Sequence, residues 1–138
     1  MDTNNTIIKL CIEGTQAEFD GRLGDACKLY RQAWEKSTND YEACIAAHYV
    51  ARCHQSPEET LRWNREALER ANAVSDGSVR EFYPSLYLNI GCSYELLGNQ
   101  AQAEKYYSLA ADLGVAHQLD LQYTIMRNDK LLSESEEA

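Results

Sequence analysis

One spacing occurs twice in this chain and limits its fold more than any other feature. Gly14-x2-Ala17-x3-Gly21-x4-Ala26-x3-Tyr30-x2-Ala33 is matched by Gly91-x2-Tyr94-x3-Gly98-x4-Ala103-x3-Tyr107-x2-Ala110. Between them the same spacing selects His48, Ala51, Gln55, Thr60, Asn64 and Ala67, a degenerate copy 34 residues after the first and 43 before the third. Self-similarity at such a period marks a stacked array of like units. Within each unit the apolar residues step by three and four, as in Ala26, Tyr30 and Ala33, which is helical periodicity. Small residues recur where two antiparallel helices must approach closely, and the tyrosine fills the gap beside them. Gly21 and Gly98 fall where the first helix of a unit ends and the chain reverses, a position that favours left-handed backbone. No stretch alternates apolar and polar residues for long, so no strand is predicted.

Local signals refine the boundaries. Ser56-Pro57-Glu58-Glu59 reads as a helix start, with a capping hydroxyl, proline in the first turn and acids toward the positive end of the dipole. Pro84 plays the same part before residues 85–97. The nine extra residues between the second and third units fall between Asn72 and Pro84. They are expected to lengthen the flanking helices around a turn at Asp76-Gly77, with Phe82 and Tyr83 packing on the second unit or rimming a binding surface. Leu119, Leu121, Tyr123, Ile125, Met126 and Leu132 predict a further helix over 118–132, which would cover the apolar end of a stack. The closing run Ser-Glu-Ser-Glu-Glu-Ala, 133–138, is expected to be a disordered acidic tail.

The pattern resembles the tetratricopeptide repeat family, most fully over Leu86-Tyr87-Leu88-Asn89-Ile90-Gly91-Cys92-Ser93-Tyr94-Glu95-Leu96-Leu97-Gly98. The resemblance covers about residues 7–115; Thr38, Asn72 and Val115 stand where these repeats usually carry a terminal proline. The stretches Trp63–Leu68 and Phe82–Asn89 are similar to those of small stand-alone bacterial members. The resemblance implies an all-α fold, a right-handed α-α superhelix of three helical hairpins at about 7–40, 41–74 and 84–117. With the capping helix at about 118–132 these form a single domain over 1–132, followed by the acidic tail.

Composition excludes several functions. With 22 acidic against 13 basic residues the net charge is −9, which lacks the basic stripe that nucleic acid or anionic lipid requires. No apolar run approaches the ~18 residues of a membrane span. Met-Asp-Thr-Asn-Asn does not read as a secretory signal. Cys11, Cys27, Cys44, Cys53 and Cys92 are odd in number, with no pair at C-x-x-C spacing. These features predict reduced thiols that serve as packing residues in a cytoplasmic protein.

The motifs of catalysis are likewise missing from the sequence. Cys44 and His48 share a helical face, but no second pair at ligand spacing completes a metal site. No local signature or basic surroundings would activate a cysteine, and no glycine loop follows a strand to cradle a phosphate. The expectation is therefore a non-enzymatic protein with neither metal nor cofactor. The degenerate middle unit is its main anomaly: His48, Thr60 and Asn64 replace glycine, alanine and tyrosine at positions that should face one another. They are expected to hydrogen-bond mutually as an internal polar cluster, with a small polar pocket as the alternative.

The resemblance also implies a binding surface, because the first helix of each hairpin lines a concave groove. The matching positions are Ile8, Cys11, Thr15 and Glu18; Glu42, Ile45, Tyr49 and Arg52; and Ser85, Leu88, Cys92 and Glu95. Members that grip chaperone tails carry a basic carboxylate clamp, whose places hold Cys11, Thr15, Ala46, Ser85 and Asn89 here. A groove of thiols and aliphatics with Tyr49 and Arg52 predicts an adaptor for an apolar or mixed protein or peptide segment. Cys11, Thr15, Ile45, Tyr49, Arg52, Leu88, Cys92 and Glu95 are its candidate contact residues. Two alternatives stand beside it: a self-associating homodimer using Trp63 or Phe82, and a small-ligand protein or enzyme built around His48, Thr60 and Asn64.

Overall fold

Short polar side chains set most of the helix starts. A computed structural model describes residues 2–113. Among them the chain forms α1 Thr6–Phe19, α2 Leu23–Lys36, α3 Asp40–Val50, α4 Pro57–Asn72, α5 Tyr83–Leu96 and α6 Gln100–Asp112, with 3-10 turns at Ala51–Cys53 and Arg80–Phe82 and no strand. Asn5, Asn39, Ser56 and Asn99 cap α1, α3, α4 and α6, their side-chain oxygens accepting first-turn N–H groups that have no helical partner. The all-α expectation holds over these residues. The expected capping helix at 118–132 and the tail at 133–138 lie outside the described residues.

The helices pack as three successive hairpins, α1 on α2, α3 on α4 and α5 on α6, with α2 on α3, α4 on α5 and α1 on α3 joining them. Gly21 and Gly98 close the first and third hairpins in left-handed backbone, at φ 82° and 79°. That conformation lets Arg22 N–H reach Ala17 O at 2.8 Å and Asn99 N–H reach Tyr94 O at 2.9 Å. Inside these two hairpins the glycine–tyrosine pairing is steric. A methyl group at Gly14 would stand 2.7 Å from Tyr30 Cδ1, and one at Gly91 would stand 2.6 Å from Tyr107 Cε1.

The core of the first two hairpins is built from neighbouring clusters that reach the start of α5. Ile7, Ile8 and Cys11 of α1 meet Ala33, Ile45 and Ala46; Cys44, Ala47, Ala67, Ala71, Val79 and Leu86 continue it toward α5. The linker between the second and third hairpins departs from expectation. It does not lengthen its neighbours: after Asn72 the chain winds in, with Ala73 N–H donating to Arg70 O and Val74 N–H to Ala71 O. Asp76 and Gly77 then turn it, buried Val79 anchors it, and a 3-10 turn delivers Phe82. An apolar anchor at Val79 holds the segment on the core more firmly than extra helical turns projecting into water would.

The cysteines require a correction. Cys27 of α2 and Cys53 of the 3-10 turn are joined as a disulfide, with Cα atoms 5.7 Å apart, so not all five are packing thiols. A sequence separation of 26 residues hides the pair from a spacing argument; helix packing brings it together.

Candidate functional site

A cavity of about 150 Å³ lies between α3 and the start of α5. Cys44, Ile45, His48, Tyr49, Phe82, Ser85 and Leu86 line it. Its position follows from the linker: the 3-10 turn sets Phe82 across from Ile45 and Tyr41, 6.3 Å from the Tyr41 ring, and α5 then starts with Ser85 facing inward. The walls are aliphatic and aromatic, with His48 and Ser85 as polar points. Burial pushes the Cys44 thiol up to about 12, so this cysteine presents a neutral, weakly polar surface there.

Beside the cavity lies a charged and aromatic cluster that ties the first two hairpins together. Arg52 donates to both oxygens of the Glu18 carboxylate, Nε to Oε1 at 3.0 Å and Nη2 to Oε2 at 2.8 Å. Tyr30 donates its hydroxyl to the same Oε1 at 2.7 Å, and its ring stacks on Tyr49 at 5.1 Å between centroids. Burial holds the Tyr30 hydroxyl well above its ordinary pKa, and the Glu18 carboxylate raises it further. The bidentate fork fixes the guanidinium, which lies 6.0 Å from the Tyr49 ring centroid. The third hairpin repeats half of this arrangement, with Tyr107 donating to Glu95.

The expected groove residues separate into two groups. Ile8, Cys11, Ile45 and Leu88 are buried, and the Cys11 thiol is likewise pushed up to about 12 by burial. Only Ile45 among these four reaches the cavity wall. Tyr49, Arg52, Cys92 and Glu95 are half-buried, while Thr15 is exposed and donates to Cys11 O. Helix packing thus fills the positions of Ile8, Cys11 and Leu88, while Ile45 and Tyr49 line the cavity at Phe82. Phe82, Ser85 and Leu86 complete that wall beyond the candidate contact residues. The extra nine residues were the available signal, since an insertion ending in Phe-Tyr-Pro has to place an aromatic side chain somewhere.

His48, Thr60 and Asn64 do not form the expected cluster. Thr60 donates to His54 O at 3.2 Å, Asn64 donates to Ser93 Oγ at 3.3 Å, and His48 Nδ1 lies 3.4 Å from Asn89 Nδ2. His48 and Asn64 are matched on α5, from α3 and α4 respectively, while Thr60 is matched on the loop that precedes its own helix. Trp63 is half-buried, edge-on to Trp34 at 5.1 Å and stacked on His54, so it offers no exposed convex surface.

Among the described residues no group of three histidine, cysteine or acidic side chains could hold a metal ion. No helix among them is long and apolar enough to cross a membrane. No protein-family model, no curated protein and no solved structure matches the chain.

Proposed function

We propose that this chain is a non-enzymatic adaptor of the tetratricopeptide kind, which binds an apolar or mixed peptide segment of another protein on its first-helix side. The observation that carries the reading is the cavity between α3 and α5, whose size and lining suit one apolar side chain of a peptide. Phe82 flanks it as an apolar anchor, while the Ser85 hydroxyl faces a backbone passing over it. A basic clamp for a terminal carboxylate is missing from the matched positions, which favours an internal apolar anchor over an acidic tail.

A displayed library of random peptides, selected on the full chain, tests this. Enriched sequences should share one bulky apolar residue, and Ser85→Trp, which fills the cavity, should weaken their binding at least tenfold while the thermal transition stays in place. Enrichment without a common apolar residue, or binding indifferent to Ser85→Trp, overturns the reading.

Self-association is the second reading, and the first hairpin favours it. Phe19 is 87% exposed, with Ile12 and Leu23 also open on that hairpin. Light scattering should give a dimer that Phe19→Asp dissociates; a monomeric mass at all concentrations removes this reading.

A further inference from the structure

The five cysteines fall into different chemical settings. Cys11 and Cys44 are buried, and burial pushes both thiols up to about 12, which leaves almost no thiolate, the nucleophilic form. Cys27 and Cys53 are only half-buried, and their Cα separation of 5.7 Å lies within the range that a bridge requires. Cys92 is half-buried as well, but among the described residues Cys27 and Cys53 are the two that are both within reach of solvent thiols and joined by the fold.

Its place in the fold is informative. Gln55 stands where the other hairpins carry Gly21 and Gly98, so the corner between α3 and α4 has no left-handed glycine. α3 stops after 11 residues, where α1 and α5 run for 14, and a 3-10 turn follows. Two ties join this corner to the first hairpin, Cys53 to Cys27 of α2 and Arg52 to Glu18 of α1, and within its own hairpin His54 O accepts from the hydroxyl of Thr60. The buried Nε2 of His54 has no hydrogen-bond partner, so the corner does not satisfy its own polar groups.

We propose that Cys27 and Cys53 are a reversible oxidation site that exchanges with low-molecular-weight disulfides such as glutathione disulfide, and that its state sets how firmly residues 51–56 hold Arg52 on Glu18. In the oxidising direction one protein thiolate attacks the small disulfide, forming a mixed disulfide and releasing one small thiol. The second protein thiolate then displaces the other. Two electrons pass from the protein thiols to the small disulfide, and the two thiol protons pass through solvent to the released thiolates. In the dithiol state the corner keeps the ion pair and the Thr60 hydrogen bond but loses its covalent tie to α2. The inference stands independently of what the cavity binds.

The test equilibrates the full chain in glutathione buffers of graded ratio, quenches with acid, alkylates, and maps each cysteine by mass spectrometry. Cys27 and Cys53 should convert together in one two-thiol transition, while Cys11 and Cys44 stay reduced. Hydrogen exchange then compares the two forms: amides of 51–56 should exchange at least tenfold faster in the reduced protein, with those inside α5 and α6 unchanged. Cys27→Ser/Cys53→Ser should reproduce the reduced profile; the reduced wild type gives the same comparison if that variant fails to fold. Pairing with a different cysteine, a bridge that persists at the most reducing ratio, or equal exchange at 51–56 in both states each overturns the proposal.

Discussion

The first and third hairpins hold themselves together, whereas the middle one is held by its neighbours. In the outer two, a glycine on the first helix receives a tyrosine from the second, and that hydroxyl returns to a glutamate of the same hairpin. In the middle hairpin the matching positions are His48, Asn64 and Arg52, and each bonds across a hairpin boundary: His48 to Asn89, Asn64 to Ser93, Arg52 to Glu18. A glycine–tyrosine pair becomes a histidine–asparagine pair, so filling by one large ring is divided between two mid-sized polar groups. What the middle hairpin gives up in internal packing it recovers as inter-hairpin ties, and the cavity opens on its own first helix, against α5.

The largest test of this difference exchanges the second-helix residue for alanine. Tyr30 is 0% exposed, and Tyr30→Ala should cost about 3–5 kcal/mol, as for other large aromatic truncations in a core. Asn64, 4% exposed, makes one neutral hydrogen bond to a serine that still donates to Asn89 O, so Asn64→Ala should cost only about 1–2 kcal/mol. Urea unfolding of both variants measures the gap; equal costs would break the distinction between the hairpins.

The first-helix residue gives the next effect. Gly14→Ala gains about 1 kcal/mol of helix propensity but drives a methyl group into a buried ring, for a net loss of about 1–3 kcal/mol. His48→Ala inserts nothing and removes a half-buried ring that lies edge-on to Tyr49, and should cost about 1 kcal/mol. If Gly14→Ala stabilises the protein, the close approach is not what holds the outer hairpins.

A third measurement addresses the ties themselves. The Arg52 and Glu18 side chains are 22% and 19% exposed, between the surface case and the fully buried one. A double-mutant cycle of Arg52→Met and Glu18→Gln should give a coupling of about 1–2 kcal/mol. A coupling near zero would leave the disulfide as the main tie between the first hairpin and the middle corner.

Most of the helical plan was legible because glycine, alanine and tyrosine repeat at fixed spacing and because Ser56-Pro57 announces a cap. Gly21 and Gly98 are left-handed for the reason that their spacing predicts. The site is less legible because the degenerate unit does not keep the side-chain pairing of the others. His48, Thr60 and Asn64 occupy the matched positions, yet their partners sit on other elements, and side-chain hydrogen bonds carry no periodicity to betray them. Cys27 and Cys53 escaped for a related reason: a contact between a helix and a turn 26 residues apart depends on how two hairpins dock. Phe82 packs on Ile45 and Tyr41 of the second unit and also walls the cavity, so its aromatic character alone does not reveal where it points.

The smallest expected effect concerns a further tie of the middle hairpin, and here pH separates it from packing. Glu42 accepts from Thr38 N–H and Thr38 hydroxyl with one oxygen and from the Asn5 amide with the other, joining the start of α3 to the start of α1. The hydrogen bond from the Thr38 backbone is the main cause that holds its carboxyl below the usual range, with the Asn5 and Thr38 side chains adding to it. A carboxylate whose folded pKa is lowered contributes stability fully above its unfolded value of about 4.3, and loses it as pH falls through the lowered folded value. Glu42→Gln should therefore cost roughly 0.5–1 kcal/mol at pH 7, discounted for the partial exposure of the pair, and nothing once the wild-type carboxyl is protonated. Unfolding curves of both proteins from pH 7 to pH 3 should converge at the acid end. A gap that stays constant with pH would mean that Glu42 acts through packing, and the middle hairpin would then have one fewer electrostatic tie to its neighbour.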